Sequence, residues 1–356
     1  MDEAAFAALV ERHRRELRVH CYRMTGSLEE AEDLVQETFL RAWRSVDRFE
    51  GRSSLRRWLY RIATNACLDA LTARSRRPQS QPHPQRQPAA PGRVLPRHRT
   101  PPVAPGSPAT QVAAPPPTEV AWLEPIPDHL WEPAAPGDEA PDAVVTTRET
   151  IELAFLAAIQ HLAPRPRAVL ILRDVLGWSA RETATQLGVT VAAANNHLAR
   201  ARSTLREQLP ERHGDWSPAG SSAEERAVLG RYMAAVEQGD LAAVAELLAD
   251  DVRASMPPLP FWFRGRDDVV GALALSWDPA LPHYVGRFRF LPVGANGQLG
   301  AAAYTRRPGD DVHRPFGVGV VTIADGRIVE MVSFHDPAVF ASFDLPATLP
   351  PLSPGE

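Results

Sequence analysis

Hydrophobic positions recur every three or four residues over two stretches of the chain, 1–77 and 142–210. This spacing places apolar side chains on one face of an α-helix, so both stretches are predicted to be bundles of amphipathic helices. In the first, Ser27-Leu-Glu-Glu30 has the form of a capping box: the serine caps the helix and the glutamate bonds back to it. A further helix is predicted from about Ser54, with Leu55, Trp58 and Leu59 on its apolar face.

The second stretch contains a short helix, a glycine turn and a longer helix. Ser179-Ala-Arg-Glu182 is another capping box, and the helix it opens is predicted to end before Gly188. Thr190 then caps a longer helix, in which Ala194, Leu198 and other apolar residues keep the helical spacing. This order is typical of a helix-turn-helix, whose second helix enters the major groove of DNA.

The segments between these stretches have a different composition. Residues 78–141 are predicted to be a flexible linker, because 13 of the 40 residues from Pro78 to Pro117 are proline and few are large and apolar. The stretch 120–131 near the end of this linker is rich in large apolar residues and is expected to dock on a neighbouring domain. Those residues are Trp122, Leu123, Ile126, Leu130 and Trp131. Residues 211–222 form a second linker, and 346–356 form a proline-rich tail.

Residues 223–345 change from helical to strand-like patterning. Two helices are predicted first, and alternating apolar residues then mark strands around 287–291, 316–323 and 328–334. Asp325-Gly326 between the last two strands is a strong signal for a hairpin. Helices followed by a curved antiparallel sheet predict an α+β cone enclosing a pocket. The fold class is therefore multidomain: two all-α domains (1–77 and 142–210) and a C-terminal α+β domain (223–345).

Composition and charge narrow the functional classes. The 356 residues contain only Cys21 and Cys67 and no Cys-x-x-Cys, so neither a disulfide framework nor a thiolate zinc site is expected. No apolar run approaches the ~20 residues that span a bilayer, and we expect a cytoplasmic protein with no cofactor and no metal. Residues 1–77 carry 15 arginines against 12 acidic residues, whereas 211–356 carry 12 against 19. This asymmetry hints at a nucleic-acid partner for the first part.

Two helices have outward faces that suit DNA. The face of the longer helix opposite its apolar stripe carries asparagines, which can bond bidentately to adenine, and arginines, which suit phosphates. In the helix from Ser54, arginines alternate with Tyr60 outside the apolar stripe, as in proteins that bind single-stranded DNA. An ordinary solvated face remains the alternative for each helix. The helix after Ser27 carries an exposed acidic and apolar face that resembles a partner surface.

The motifs Ala31-Glu-Asp-Leu-Val-Gln-Glu-Thr-Phe-Leu-Arg-Ala-Trp43 and 55–69 strongly resemble region two of extracytoplasmic-function sigma factors. Residues 162–182, with the helix through Arg206, look like region four of the same family. The C-terminal domain is similar to SnoaL-like, nuclear-transport-factor-like domains. The combination resembles a sigma-factor subgroup with such a domain fused at its C-terminus. The proline-rich linker is longer than is usual in the family, which leaves its path past the polymerase open.

The resemblance implies an alternative sigma factor, not an enzyme, that binds core RNA polymerase and promoter DNA. It implies that the helix after Ser27 binds polymerase through Asp33, Leu34, Gln36, Glu37, Leu40 and Trp43. It implies that the −10 element is melted and read by Ser53, Ser54, Arg56, Arg57, Tyr60, Arg61 and Asn65. The −35 element would be read by Thr190, Ala192, Ala193, Asn195, Asn196, Arg200 and Arg202.

The C-terminal domain allows several roles. A pocket in the cone is predicted to involve Tyr232, Trp262, Tyr304, His313 and His335 and could take a small-molecule or protein ligand. Proton-transfer catalysis, for which His283, Tyr304, His313, His335 and Asp336 are the candidates, is the less favoured alternative. Another alternative is a one-component, ligand-responsive DNA-binding regulator, which leaves 1–77 unexplained. Because the segment 211–356 is acidic, we hypothesise that it packs against a basic helical domain and masks promoter contacts.

Overall fold

The described part of the first helical domain contains four α-helices. The computed structural model of the chain describes residues 3–49, 54–76, 123–131, 151–208, 222–257 and 262–351. The four helices are α1 (Glu3–Glu11), α2 (Arg14–Thr25), α3 (Leu28–Ser45) and α4 (Leu55–Arg76). Helix α2 contacts both α3 and α4, so their apolar faces meet in one core around Leu17, Val35 and Leu59. In the described part of the chain, no helix is long and apolar enough to cross a membrane.

The second helical domain contains the helix-turn-helix that its sequence predicts. Its helices are α5 (Leu153–Gln160), α6 (Pro164–Leu170), α7 (Ala180–Leu187) and α8 (Val191–Gln208), and a π-helical turn, Ile171–Val175, extends α6. The capping box of Ser179 and Glu182 is confirmed, with both reciprocal hydrogen bonds present. Gly188 ends α7 at φ +64°, a left-handed conformation that glycine adopts without steric cost.

Residues 123–131, here called the docked segment, lie between the first helical domain and the C-terminal domain. Leu123, Ile126 and Trp131 are buried, as the apolar composition predicts, in the same hydrophobic cluster as residues of both domains. Trp122 and most of the predicted linker, 78–122 and 132–141, lie outside the described residues, as do the linker residues 211–221 and the tail beyond 351.

The docked segment also caps α3. The Glu124 carboxylate accepts hydrogen bonds from the backbone N–H groups of Leu28 (2.6 Å) and Glu29 (3.3 Å) and from the Ser27 hydroxyl (3.0 Å). The Ser27 side chain caps α3 as predicted. The second half of that predicted capping box is wrong, because Glu30 forms an ion pair with Arg74 and Glu124 occupies the helix N-terminus.

Among its described residues, the C-terminal domain combines four helices with a six-stranded mixed sheet of order β2-β1-β6-β5-β4-β3. The helices are α9 (Ala223–Gln238), α10 (Leu241–Leu247), α11 (Arg266–Trp277) and α12 (Val339–Ser342). The strands are β1 (Leu248–Ser255), β2 (Trp262–Arg264), β3 (Arg287–Ala295), β4 (Gln298–Arg306), β5 (Arg314–Ala324) and β6 (Arg327–Phe334). The predicted β5–β6 hairpin is confirmed.

The expectation of an antiparallel sheet is wrong at one pair, because β1 runs parallel to β6. Alternation of apolar residues identifies strands, but it carries no information on the direction of strands that are distant in sequence.

The sheet has two buried faces. One packs against α9, α10 and α11 in a cluster that includes Val228, Ala301 and Met331. The other contributes Ala302, Val320 and other residues to the cluster that also contains the cores of both helical domains and the docked segment. The C-terminal domain is therefore joined to the helical domains by apolar packing as well as by the chain.

Candidate nucleic-acid interface

The outward face of α8 is open to solvent. Four of the predicted −35 residues on α8, Ala192, Asn195, Asn196 and Arg200, are exposed, and Ala193 is half-buried. The opposite face is held by Ala194, Leu198 and Ala201, all of which are buried. Thr190, which is also exposed, accepts a hydrogen bond from the Ala193 N–H (3.1 Å) and so caps the helix.

Arg202 is exposed but already has a partner. Its Nε and Nη2 donate to the two carboxylate oxygens of Asp174 at 2.9 and 2.7 Å. This hydrogen bonding raises the pKa of Arg202. A bidentate pair of this kind fixes the guanidinium, so Arg202 would have to leave Asp174 to reach a phosphate.

Helix α4 carries the predicted −10 residues in two different environments. Ser54, Arg57, Arg61 and Asn65 are exposed, whereas Tyr60 is only 3% exposed. Ser53 lies outside the described residues.

Tyr60 is fixed by the interior of the first helical domain. Its hydroxyl donates to the Glu16 carboxylate (3.2 Å), which also accepts from Arg56 Nε (2.6 Å). The Arg56 guanidinium lies 5.1 Å from the centre of the Tyr60 ring, and burial raises the pKa of the phenol. In this arrangement Tyr60 cannot stack on a base. The helical spacing of the apolar residues around it does not predict this burial.

The second helical domain covers part of this helix. Gln186 of α7 donates to the backbone carbonyl of Arg61 (3.0 Å), and Glu182 forms an ion pair with Arg57. The Trp178 ring, just before α7, meets Tyr60 edge-on with the ring centres 6.5 Å apart. A cavity of about 220 Å³ follows between the domains, with Asn65 in its wall. The structure thus places α7 against the predicted −10 helix and leaves the outward face of α8 exposed.

A buried arginine joins the two helical domains. Arg167 of α6 donates to the backbone carbonyl of Met24 at the end of α2 and to those of Gln160 and Leu162 (both 2.9 Å). Burial lowers its pKa to about 10. The buried role of Arg167 is not apparent from the sequence, because an arginine in a helical stretch is expected at the surface unless the backbone carbonyls that it contacts are known.

Helix α3 exposes only part of the predicted polymerase-binding set. Asp33, Gln36 and Leu40 are exposed, and Leu40, at 51%, is one of few large apolar side chains so exposed among the described residues. Glu37 forms an ion pair with Arg41 (2.7 Å).

The other two members of that set are not on the open face. Leu34 is buried, and Trp43 packs against Phe6 with the ring centres 5.2 Å apart. A groove of about 560 Å³ continues from the exposed side of α3, between the docked segment and α12; the carboxylates in its walls are those of Glu29, Glu32, Asp33, Glu124, Asp336 and Asp344.

The predicted pocket residues of the C-terminal domain are divided between the two faces of the sheet. Tyr232 packs on the helix-covered face, where burial raises its pKa to about 12. Tyr304 lies on the opposite face and donates to the Pro346 carbonyl (2.8 Å). His313 pairs through its backbone with Leu349 (2.8 Å). Tyr232, on α9, therefore lies on the other side of the sheet from Tyr304, and the structure does not bring the predicted pocket residues to one place.

The remaining pocket candidates are His335 and Trp262. The His335 ring meets the Phe316 ring edge-on with the ring centres 4.8 Å apart, and burial lowers the pKa of His335 to about 4. Trp262 pairs with Ser255 through its backbone, and its side chain lies outside the described part of the structure. Within the described residues, no group of three or more His, Cys, Asp or Glu side chains could hold a metal ion.

Comparisons with known proteins match the three folded parts. Residues 9–77 match the family Sigma-70 region 2, residues 152–205 match Sigma-70, region 4, and residues 229–331 match the SnoaL-like domain. The chain is 43% identical over 345 residues to the ECF RNA polymerase sigma factor SigG of Mycobacterium tuberculosis, covering 97% of this chain and 85% of that protein.

A second relative extends over the same length. The ECF RNA polymerase sigma factor SigJ of M. tuberculosis is 28% identical, covering 97% of this chain and 95% of that protein. The crystal structure of the M. tuberculosis extracytoplasmic function sigma factor SigJ superposes with a TM-score of 0.57 at 24% identity, covering 96% of this chain and all of that one. The likeness in structure extends across the helical domains and the C-terminal domain.

Proposed function

This chain belongs to the extracytoplasmic-function RNA polymerase sigma factors, and from that membership we propose how its domains divide and control the work of promoter recognition. As a sigma factor it binds core RNA polymerase, recognises −10 and −35 promoter elements and initiates transcription. We assign −35 reading to the outward face of α8, −10 reading to α4 and polymerase docking to the exposed side of α3. Because its polymerase partner is cytoplasmic, we expect the protein to work there.

The single observation that carries the regulatory proposal is the position of α7. Gln186, Glu182 and Trp178 all meet predicted −10 residues of α4. We call this the closed arrangement. In the closed arrangement α7 covers part of α4, whereas the outward face of α8 stays exposed. The protein would therefore have to separate its helical domains before a melted strand could bind along α4.

We propose that the C-terminal domain regulates this separation in cis and performs no chemistry. Its sheet packs into the same hydrophobic cluster as the helical domains, so it stabilises their closed arrangement. The masking itself is done by α7, which refines the hypothesis that the acidic segment covers the promoter contacts directly. Against catalysis, Tyr304 and His313 are engaged in the packing of the segment after α12, and His335 packs against Phe316.

Run-off transcription tests the sigma assignment. Purified core polymerase and the full chain are combined with genomic fragments, and promoter-specific transcripts are expected. Base substitutions in the −10 and −35 elements of a transcribed fragment should each abolish its transcript. A full chain that binds duplex DNA but gives no initiation on any fragment would contradict the assignment and favour a ligand-responsive DNA-binding regulator.

A cleavable chain tests regulation in cis. A protease recognition sequence inserted between residues 211 and 221 allows the C-terminal domain to be separated after the whole protein has folded. We expect the cleaved and separated helical domains to bind a −10 single strand more tightly than the uncleaved protein. The matched control is the same insertion without protease, and equal affinity before and after separation would show that the C-terminal domain does not regulate −10 binding.

A further inference from the structure

The turn between β3 and β4, residues 295–298, is a hairpin tip that is buried at a domain junction. Asn296 and Gly297 have φ values of +57° and +70°, as in the tight two-residue turns that favour Asn-Gly. Such turns normally face water, yet Asn296 has no exposed surface. Its burial therefore requires partners for a polar side chain with two donors and an acceptor.

Asn296 finds those partners in three different parts of the chain. Its Nδ2 donates to the Tyr22 hydroxyl of α2 and to the Ile151 carbonyl ahead of α5, both at 2.9 Å. Its Oδ1 accepts from the Ile126 N–H of the docked segment (3.0 Å). The backbone repeats the last connection, because the Asn296 N–H donates to the Ile126 carbonyl (2.9 Å). One side chain thus bonds the first helical domain, the docked segment and the start of the second helical domain.

Neighbouring residues in the hairpin add to this junction. The Asp128 carboxylate accepts from the Gly297 N–H (2.7 Å), and Gln298 accepts from the Leu153 N–H (3.0 Å) at the start of α5. A side chain at Gly294 would place its Cβ 2.3 Å from the Asp128 carboxylate, so only glycine allows this approach. The close contact therefore depends on the hairpin and the docked segment together.

The β5–β6 turn provides an internal comparison. Asp325 and Gly326 have φ values of +50° and +70°, nearly the same geometry, but Asp325 is exposed. The two turns share their backbone conformation and differ in their surroundings. The contacts of Asn296 therefore reflect the domain junction and not a requirement of the turn.

We propose that the β3–β4 hairpin tip is the point at which the C-terminal domain controls the closed arrangement. Because one buried asparagine bonds three separate segments, a small displacement of the tip breaks all three connections together. The start of the second helical domain and the docked segment would then be released from α2, and α7 could leave α4. This inference rests on the regulatory proposal above and names the residue through which it acts.

A distance measurement on the full chain tests the inference. Fluorophores on cysteines introduced at the exposed positions Arg44 and Glu207 report the separation of the helical domains by energy transfer, since Cys21 and Cys67 are both fully buried. The test variant is Asn296→Gly, which keeps a residue suited to positive φ and removes only the side-chain bonds. The matched control is Asp325→Gly, the same kind of change in the exposed turn.

We expect Asn296→Gly to lower the closed-to-open ratio by about tenfold or more, because three hydrogen bonds are lost. Asp325→Gly should leave the transfer efficiency unchanged. Tyr22→Phe, which lies outside the C-terminal domain, removes the hydroxyl that accepts from Asn296 and donates to the Glu124 carbonyl, so it should open the protein in the same direction by about threefold or more. If circular dichroism shows that Asn296→Gly unfolds the C-terminal domain, Tyr22→Phe is the variant that tests the role of the hairpin tip.

The outcomes separate this inference from the regulatory proposal. Unchanged energy transfer in Asn296→Gly and Tyr22→Phe would overturn the role of the hairpin tip, whatever transcription shows. Lower transfer without tighter binding of a −10 single strand would support the role of the tip in closing the protein and would contradict regulation through α4.

Discussion

The contact between α7 and α4 gives the most direct prediction. Gln186→Ala removes the hydrogen bond from its side-chain amide to the Arg61 carbonyl and leaves the ion pair of Arg57 with Glu182 in place. Gln186 is buried, whereas its neighbour Thr185 is exposed and bonds only within α7, to the Arg181 carbonyl. Thr185→Ala is therefore the matched control on the same helix.

The expected size of the effect follows from one hydrogen bond. A typical intramolecular hydrogen bond contributes roughly 0.5–1.5 kcal/mol net, which changes an equilibrium constant by about 2- to 12-fold at 25 °C. When the open form is a minor population, its fraction rises by the same factor, and the apparent affinity of a ligand that binds only the open form rises equally. We therefore expect Gln186→Ala to bind a −10 single strand about 2- to 12-fold more tightly.

Fluorescence anisotropy with a labelled non-template strand, taken from a promoter found by run-off transcription, measures this affinity. Binding of the matching −35 duplex should not change in the same variant, because α8 is open in either arrangement. If Gln186→Ala and Thr185→Ala bind the single strand with equal affinity, α7 does not obstruct α4 and the closed arrangement has no bearing on −10 recognition.

Three further predictions concern other parts of the chain. Glu124→Ala should lower the free energy of unfolding by about 1 kcal/mol, because the N-terminus of α3 loses its acceptor. Urea unfolding measures this, with Gln36→Ala at an exposed position in the middle of α3 as the control, and an unchanged midpoint in Glu124→Ala would contradict it. Asn195→Ala should weaken discrimination at one base of the −35 element by about 1–3 kcal/mol. Arg200→Ala should instead lower the affinity for all duplexes alike and reduce the slope of log affinity against log salt concentration by about one. The reverse pattern would contradict this assignment of roles to the two residues. Burial lowers the pKa of His20 to about 3, so below the ordinary histidine pKa near 6.5 the unfolded chain binds more protons than the folded one. The free energy of unfolding should then fall by about 1.4 kcal/mol per pH unit from about pH 6.5 towards pH 3. His20→Gln should reduce this slope, which urea titrations at several pH values measure.

The sequence alone predicts most of the local structure. The periodicity of apolar residues defines the helical domains, and the capping box at Ser179 and the glycine at 188 fix the helix-turn-helix, because these signals act over a few residues. The alternation around Asp325-Gly326 likewise predicts a hairpin that the structure contains. The outward face of α8 could be predicted because a helix with one apolar stripe exposes the opposite side.

What the sequence does not predict depends on contacts between distant residues. Tyr60 reads as an outward aromatic, but Glu16 and Trp178 enclose it, and they lie 44 residues before and 118 residues after it. The family resemblance assigns Leu34 and Trp43 to the polymerase-binding surface, but the packing of α1 and the rest of the bundle takes both side chains inward.

The domain junction is the clearest case of a feature that only the tertiary structure decides. Asn296-Gly297 predicts a turn and nothing more, because local patterning carries no information on what a turn will touch. Its burial depends on Tyr22, Ile126 and Ile151, which the folded chain brings to one point from separations of 145–274 residues. Sequence thus determined the parts and their chemistry, and long-range packing decided which surfaces are covered, because burial is a property of the whole assembly of elements.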